Sequence, residues 1–206
     1  EEQIEGARSA PASDLREALD AAGVSVEQAG LGSGTLTRGG DDYSGDVMTA
    51  AARYAALVVS TCRGERFDVV HAHDWMTYPA GLAIARLTRT PLVVHVHSTE
   101  FDRSGTNVNQ AIYDIERRGM HGADRVICVS YLTRSICLAR YGVEPAKVKV
   151  VYNGVEASEP LSQLSRVRSK DKVVLFLGRL TMQKGPEYFI EAARLVLQKM
   201  DDVKFV

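Results

Sequence analysis

The residues with the clearest chemical purpose lie near the end of the chain, in Val173-Val-Leu-Phe-Leu-Gly178-Arg179-Leu-Thr-Met-Gln-Lys184-Gly185-Pro186. An apolar run stops at a glycine, an arginine follows at once, a lysine comes five residues later, and Gly-Pro opens a helical pattern. In open parallel sheets ligands sit beyond the carboxyl ends of the strands, which is where Gly178 to Gly185 falls. The Arg179 guanidinium can grip phosphate oxygens with its planar fork, and Lys184 adds a compact positive charge. Pro186 suits the first position of a helix, whose unpaired N–H groups attract an anion. The arrangement fits a diphosphate pocket made without a metal ion. An exposed loop with two surface cations is the plainer alternative.

Two further motifs could do chemistry, His71-Ala-His73-Asp74 and His95-Val-His97-Ser98. Each closes an apolar run, so in strands the two imidazoles of a pair share a face, and both pairs fall near one sheet edge. Three readings compete. Neutral imidazoles at this spacing chelate zinc, but no fourth ligand has a clear spacing, so no metal ligands are assigned. His97-Ser98-Thr99-Glu100 could supply donors and acceptors to a sugar or phosphate. The third reading, and the expectation for His71 and His95, is core histidines satisfied by the backbone. Asp74-Trp75-Met76 and Tyr78 add aromatic surface at that edge, suited to sugar C–H faces, although a lone tryptophan more often packs. The chain has no Asp-x-Asp pair, so a metal-bridged diphosphate lacks its usual ligands. Asn153-Gly154 ends another apolar run at the same edge, where a plain turn explains it equally well.

These residues need elements to hold them. From Asp68 onward, short apolar runs alternate with helical patterns. Strands are expected at 68–72, 91–96, 125–129 and 147–152, and helices at 77–87, 108–120 and 131–140. Strands apolar on both faces and separated by helices predict a parallel sheet covered on both sides. Residues 157–170 read as a linker. A second unit follows: strand 173–177, helix 187–199 with Ile190, Ala193 and Leu197 on one face, and strand 203–206. One β-α-β unit cannot bury its own faces, so a larger second domain, cut off in this chain, is expected. Before residue 65, helices are expected at 14–22 and at 50–59, the latter with Tyr54 and Leu57 or Val58 inward. Gly30-Leu-Gly-Ser-Gly34 lacks the flanking strand and helix of a dinucleotide-binding turn and reads as a loop.

Composition narrows the class. The chain has 206 residues, 45% hydrophobic, with a net charge of −1, so nothing global points to nucleic acid or a membrane surface. Nine acids and three arginines precede residue 46, a balance of −6, which leaves +5 for the remainder. That suits an anionic ligand, and a solvated surface explains it as well. Cys62, Cys128 and Cys137 form no Cys-x-x-Cys pair, which fits a reduced, cytoplasmic protein. No apolar run approaches the ~18 residues of a membrane span. The opening Glu-Glu-Gln-Ile-Glu is neither a signal peptide nor an initiator methionine, and reads as a start inside a longer protein.

Taken in order, Phe67-Asp-Val-Val-His-Ala-His-Asp-Trp75, Val94-His-Val-His-Ser98, Ala123-Asp-Arg-Val-Ile-Cys-Val-Ser130, Lys149-Val-Val-Tyr-Asn-Gly-Val155 and Gly178-Arg-Leu…Gln-Lys-Gly185 resemble the retaining GT-B glycosyltransferases of family 4, the glycogen- and starch-synthase-like group. The resemblance runs from about Phe67 to Val206 and implies an α/β fold of two Rossmann-like domains facing across a cleft. Residues 1–156 would be the acceptor-side domain lacking its first strand or strands, and residues 171–206 the start of the nucleotide-sugar domain. It implies transfer of a sugar, glucose foremost, from UDP- or ADP-glucose to a glucan or other sugar acceptor with retention and without a cofactor. Arg179 and Lys184 would stabilise the leaving diphosphate, helped by Gly178, Gly185 and Asn153. His97 would sit beside the reacting sugar. His73, Asp74 and Trp75 would lie on the acceptor side. The family's opening Gly-rich loop and its later glutamate pair fall outside the chain, so this stretch alone is not expected to turn over. A metal-dependent hydrolase built on the two His-x-His pairs, or a non-catalytic sugar- or nucleotide-binding fragment, are the alternatives.

Overall fold

The computed structural model describes residues 12–25, 47–62, 64–156 and 170–206. Helices α1 (Ala12–Ala21) and α2 (Val47–Thr61) come first. Then β1 (Val70–His73), α3 (Tyr78–Thr88), β2 (Leu92–Val96), α4 (Glu100–Ser104), α5 (Gln110–Gly122), β3 (Arg125–Cys128), α6 (Tyr131–Tyr141) and β4 (Val148–Val150) build one sheet with its helices. The second unit is β5 (Lys172–Val174), α7 (Pro186–Leu197) and β6 (Val203–Phe205). The first sheet is parallel with the order β1-β2-β3-β4, and the second is the parallel pair β5-β6. The expected elements form within a few residues of their expected bounds. Gly30–Gly34 and residues 157–169 of the expected linker lie outside the described residues.

Local chemistry sets the helix ends. The Asn109 side chain accepts from the amides of Ala111 and Ile112 to start α5, and the Ser130 hydroxyl accepts from the Thr133 amide to start α6. Gly142 ends α6 at φ 67°, a left-handed conformation that glycine takes without a Cβ penalty.

One face of the first sheet carries Ala72, Leu92, Val94, Val96, Val126, Cys128 and Val148, all buried. Helices α3, α5 and α6 cover this face through Tyr78, Met120, Cys137 and Tyr141. The approach is close: a Cβ on Gly81 would come within 2.9 Å of the Ala72 Cβ, and one on Gly119 within 2.4 Å of the Tyr78 ring. Helices α1 and α2 pack on the far side of α3, against Ala80, Ala83 and Ile84.

The expectation of a sheet covered on both sides is not met among the described residues. Every described helix that touches the sheet lies on the Ala72–Val94 side, and the other face leaves His71, His73, Arg125 and Lys149 exposed. The inward face of α2 also differs from expectation. Tyr54 and Leu57 are exposed, Val58 is half-buried against the core as expected, and Ala51, Ala52, Ala55, Ala56 and Val59 are buried. Its partners α1 and α3 present alanines there too, so the helices approach at alanine distance and the large side chains turn outward.

Candidate active site

Strands β1 and β2 bring the histidines together. The register pairs His73 with His95, and the period-two alternation sends His71, His73, His95 and His97 to the uncovered face. Ring centroids lie 4.3 Å apart for His71–His73, 5.0 Å for His73–His95 and 4.3 Å for His95–His97. The Nδ1 of His73 and the Nε2 of His97 are 3.0 Å apart.

The reading of His71 and His95 as backbone-satisfied core residues is corrected. His71 is exposed. His95 is half-buried, and both of its ring nitrogens are shielded from solvent without a hydrogen-bond partner. The cause is geometric: strand N–H and C=O groups lie in the plane of the sheet and are used by its ladder, whereas the imidazoles stand perpendicular to it. Burial, then the neighbouring rings of His97, His73 and His71, lower the His95 pKa to about 4.

Asp74 closes β1 and fixes the end of β2. It adopts φ 59°, a left-handed conformation in which aspartate is better tolerated than most residues. Its amide donates to the His95 carbonyl at 2.9 Å, and its Oδ1 accepts from the amides of His97 at 2.8 Å and Ser98 at 3.4 Å. The carboxylate expected on the acceptor side is thus engaged in holding the His97 backbone. Trp75 is buried in the core, with its faces taken up by packing, so the sugar-platform reading of this ring is replaced by the packing one. Tyr78 is likewise buried and donates its hydroxyl to the His95 carbonyl at 3.2 Å.

Behind His97 lies a buried polar network that sequence reasoning missed. The Arg103 Nη1 donates to the Ser98 Oγ at 3.0 Å, its Nε to Glu100 at 3.1 Å, and its Nη2 to Glu116. Glu116 also accepts from the Glu100 amide at 3.0 Å and from the Tyr141 hydroxyl. Glu100 accepts from Ser104 at 2.6 Å and from the Asn109 amide at 3.0 Å. Asp102 accepts from the Thr99 amide at 2.6 Å and caps α4. Burial pushes the Glu116 carboxyl above its usual range, while Tyr141, the Glu100 amide and Arg103 pull the other way. Burial also raises Glu100, but its bonds from Ser104, Asn109 and Arg103 outweigh this and hold it below the usual range. One signal was available in the sequence: Glu116 lies four residues after Ile112 and three before Gly119, a carboxylate on an otherwise inward stripe.

In the second unit the loop after β5 runs from the ladder's last bond, Phe176 to Val206, through Gly178 and Arg179 to a 3-10 turn, Met182–Lys184. Gly185 follows at φ 62° and α7 begins at Pro186. Arg179 and Lys184 are both exposed, and the Lys184 Cγ would stand 3.7 Å from a Cβ on Gly178. The Met182 methyl lies against Gly105, so this turn meets the end of α4, the helix that directly follows His97–Thr99. Asn153 is exposed in the segment after β4.

The profile of Glycosyltransferase Family 4 matches residues 13–159. An uncharacterized glycosyltransferase of Methanocaldococcus jannaschii is 34% identical over 149 residues, covering 66% of this chain and 38% of that protein. The UDP-Gal:alpha-D-GlcNAc-diphosphoundecaprenol alpha-1,3-galactosyltransferase of Escherichia coli is 30% identical over 145 residues, covering 65% and 38%. Glycogen synthase of Mycobacterium tuberculosis is 30% identical over 131 residues, covering 62% and 32%. The chain thus spans under two fifths of the length of these curated relatives. Among solved structures, Anabaena HepE in complex with UDP and glucose superposes with a TM-score of 0.58 at 23% identity, over 80% of this chain and 45% of that one. Sucrose-phosphate synthase of Thermosynechococcus elongatus superposes at 0.53 and 14% identity, over 85% and 53%. The fold is of GT-B type. Among the described residues no helix is long and apolar enough to cross a membrane.

Proposed function

The chain belongs to glycosyltransferase family 4, and from that premise we propose that the protein moves a glucosyl group from UDP- or ADP-glucose to a glucan or other sugar acceptor, with retention. One observation carries the reading. The Gly178–Gly185 loop, at the carboxyl end of β5, meets the far end of α4, the helix that starts just after His97–Thr99. The loop read as the diphosphate site thereby touches the helix that leads away from the histidine expected beside the reacting sugar.

As the bond from C1 to the diphosphate breaks, negative charge grows on the leaving oxygen. Arg179 and Lys184, exposed on that loop, stabilise it in the way a metal does elsewhere, and the free N–H groups at the start of α7 add to them. Positive charge develops at C1. The His97 backbone, fixed by Asp74, holds a carbonyl and an imidazole where they can face that charge. The acceptor hydroxyl enters on the face the diphosphate leaves. UDP and glucose in the Anabaena structure and the glycogen synthase relative support the choice of donor and acceptor. The three free thiols support a reducing compartment.

The test is a transfer assay, with radiolabelled UDP- and ADP-glucose offered to glycogen and small sugars, of the chain joined to a complete second domain. Arg179→Ala or Lys184→Ala should each lower turnover about a hundredfold or more. Near-normal rates in both variants would overturn the assignment of these two residues.

A further inference from the structure

We propose that His71, His73 and His95 form a binding site for a zinc-class divalent transition metal on the uncovered face of the first sheet. One candidate ligand atom from each of the three lies within 4.8 Å of the other two. A shared ion about 2.1 Å from each nitrogen needs separations of roughly 3.4 Å. Small side-chain rotations supply the difference, and His71 and His73 are exposed and able to make them.

Three observations favour an ion over a chance cluster. The first is His95, whose two ring nitrogens are the described side chains' orphaned buried polar atoms. Leaving such an atom unpaired is destabilising, since its desolvation is not repaid, and a metal bond satisfies one of them. The second is the contact from His73 Nδ1 to His97 Nε2 at 3.0 Å. A ligating histidine characteristically hands its other ring N–H to an outer partner, so this contact leaves His73 Nε2 for the ion and makes His97 the outer acceptor. The third is the backbone. The cross-strand pair His73–His95 and the same-strand pair His71–His73 are set by parallel register rather than by loops, so the ligands stand on rigid elements.

The ligand set selects the ion. Imidazoles without carboxylates suit zinc and its neighbours rather than magnesium or calcium, and three of them leave a fourth position open. Asp74 does not join, since its Oδ1 already serves the His97 and Ser98 amides. The three ligands stand on β1 and β2, whereas Arg179 and Lys184 stand on the loop after β5. Metal binding is read directly rather than through transfer, so its outcome is separate from that of the donor reading.

The experiment uses the full chain without a histidine tag, stripped of metal and titrated with Co2+ as a visible probe, then with Zn2+ in competition. The expected result is one Co2+ per chain, with the absorption of a four- or five-coordinate imidazole complex, displaced by Zn2+. His71→Ala and His73→Ala, both at exposed positions, should each weaken binding at least about tenfold while circular dichroism stays unchanged, and His97→Ala should weaken it by about 10–100-fold as an outer partner. His121, whose Nε2 meets the Tyr141 carbonyl at 2.8 Å, is the control, and His121→Ala should bind as the parent does. Absence of binding at micromolar metal, or affinity unmoved by His71→Ala and His73→Ala, or an equal loss in His121→Ala, would each overturn the proposal.

Discussion

Around His97 the polar groups are committed to one another, whereas around Arg179 and Lys184 they are not. Asp74 holds the His97 and Ser98 amides, Arg103 holds the Ser98 hydroxyl, and Glu116 behind them is 1% exposed. Among the described residues no hydrogen bond or ion pair engages the side chain of Arg179 or Lys184. The apolar packing differs in the same sense. The first sheet buries Val94, Val96 and Val126 almost completely, while Leu177 is 90% and Ile190 68% exposed in the second unit, where two strands and one helix offer no second layer. The comparison separates two ways of making a site. One strand end is shaped by the protein's own bonds before any ligand arrives, and the other presents cations whose arrangement an anion completes.

The largest effect that could break this comparison is on stability. Glu116→Ala leaves Arg103 facing an emptied, buried position and should cost about 3–5 kcal/mol. Arg179→Ala, at an exposed position, should change stability by no more than about 0.5 kcal/mol while transfer collapses. Urea unfolding followed by the fluorescence of Trp75, the chain's one tryptophan and a core residue, measures both. Equal midpoints for the two variants would remove the distinction between a pre-shaped and a ligand-completed site.

A smaller loss is expected at Asp74. Asp74→Ala removes the acceptor for two amides and places alanine at φ 59°, a combined cost of about 2–3 kcal/mol. Asp74→Asn keeps an acceptor and a residue at home in that conformation, so it should lose under half as much. If the two variants unfold alike, the carboxylate is not what holds the His97 turn.

How far the sequence foretold this contrast depends on which physical signal each residue leaves. The strands and helices were legible because apolar periodicity is local, and Gly178-Arg179…Lys184-Gly185 because strand, glycine, cation and proline occur within one short stretch. The Arg103–Glu116–Tyr141 network was not, since its members are 13 and 25 residues apart and meet only once α4, α5 and α6 pack together. Helix α4 was missed for a related reason: five residues carry no period, and its start depends on the Thr99–Asp102 bonds. The two His-x-His pairs were legible as shared-face pairs. That they stand on the uncovered face was not, because nothing in an apolar strand says which side its helices will take.

Two glycines sharpen the comparison further. Gly142 and Gly185 sit at φ 67° and 62°, and alanine at either should cost roughly 1–2 kcal/mol. No atom lies within 4 Å of a Cβ on Gly142, and the nearest to one on Gly185 belongs to the exposed Tyr188 ring, so each cost comes mainly from the backbone conformation rather than from a clash with packed neighbours. The readout should differ by region. Gly142→Ala should lower the global unfolding midpoint, while Gly185→Ala should speed hydrogen exchange of the α7 amides and leave that midpoint nearly unmoved. Matching global shifts would mean that the two units unfold as one.

The smallest effect is the pH dependence carried by Glu100, and it tests whether the network behind His97 works electrostatically. Its folded pKa lies below the ordinary 4.5, because bonds from Ser104, Asn109 and Arg103 outweigh burial. The unfolded chain then takes up the proton first as pH falls, so Glu100's contribution is complete above about 4.5 and is lost as pH drops through its lowered folded value. Glu116, raised by burial, acts in the opposite sense: the folded state takes its proton first, and stability gains slightly as pH falls towards 4.5. Other carboxylates add a background common to parent and variant, so the informative quantity is the difference between the parent and Glu100→Gln. Measured by thermal unfolding from pH about 5 to about 3, that difference should narrow steadily as acid is added. A difference constant across the range would show that Glu100 holds the turn through hydrogen bonds available to a neutral amide, and that its charge contributes nothing to shaping the His97 side of the site.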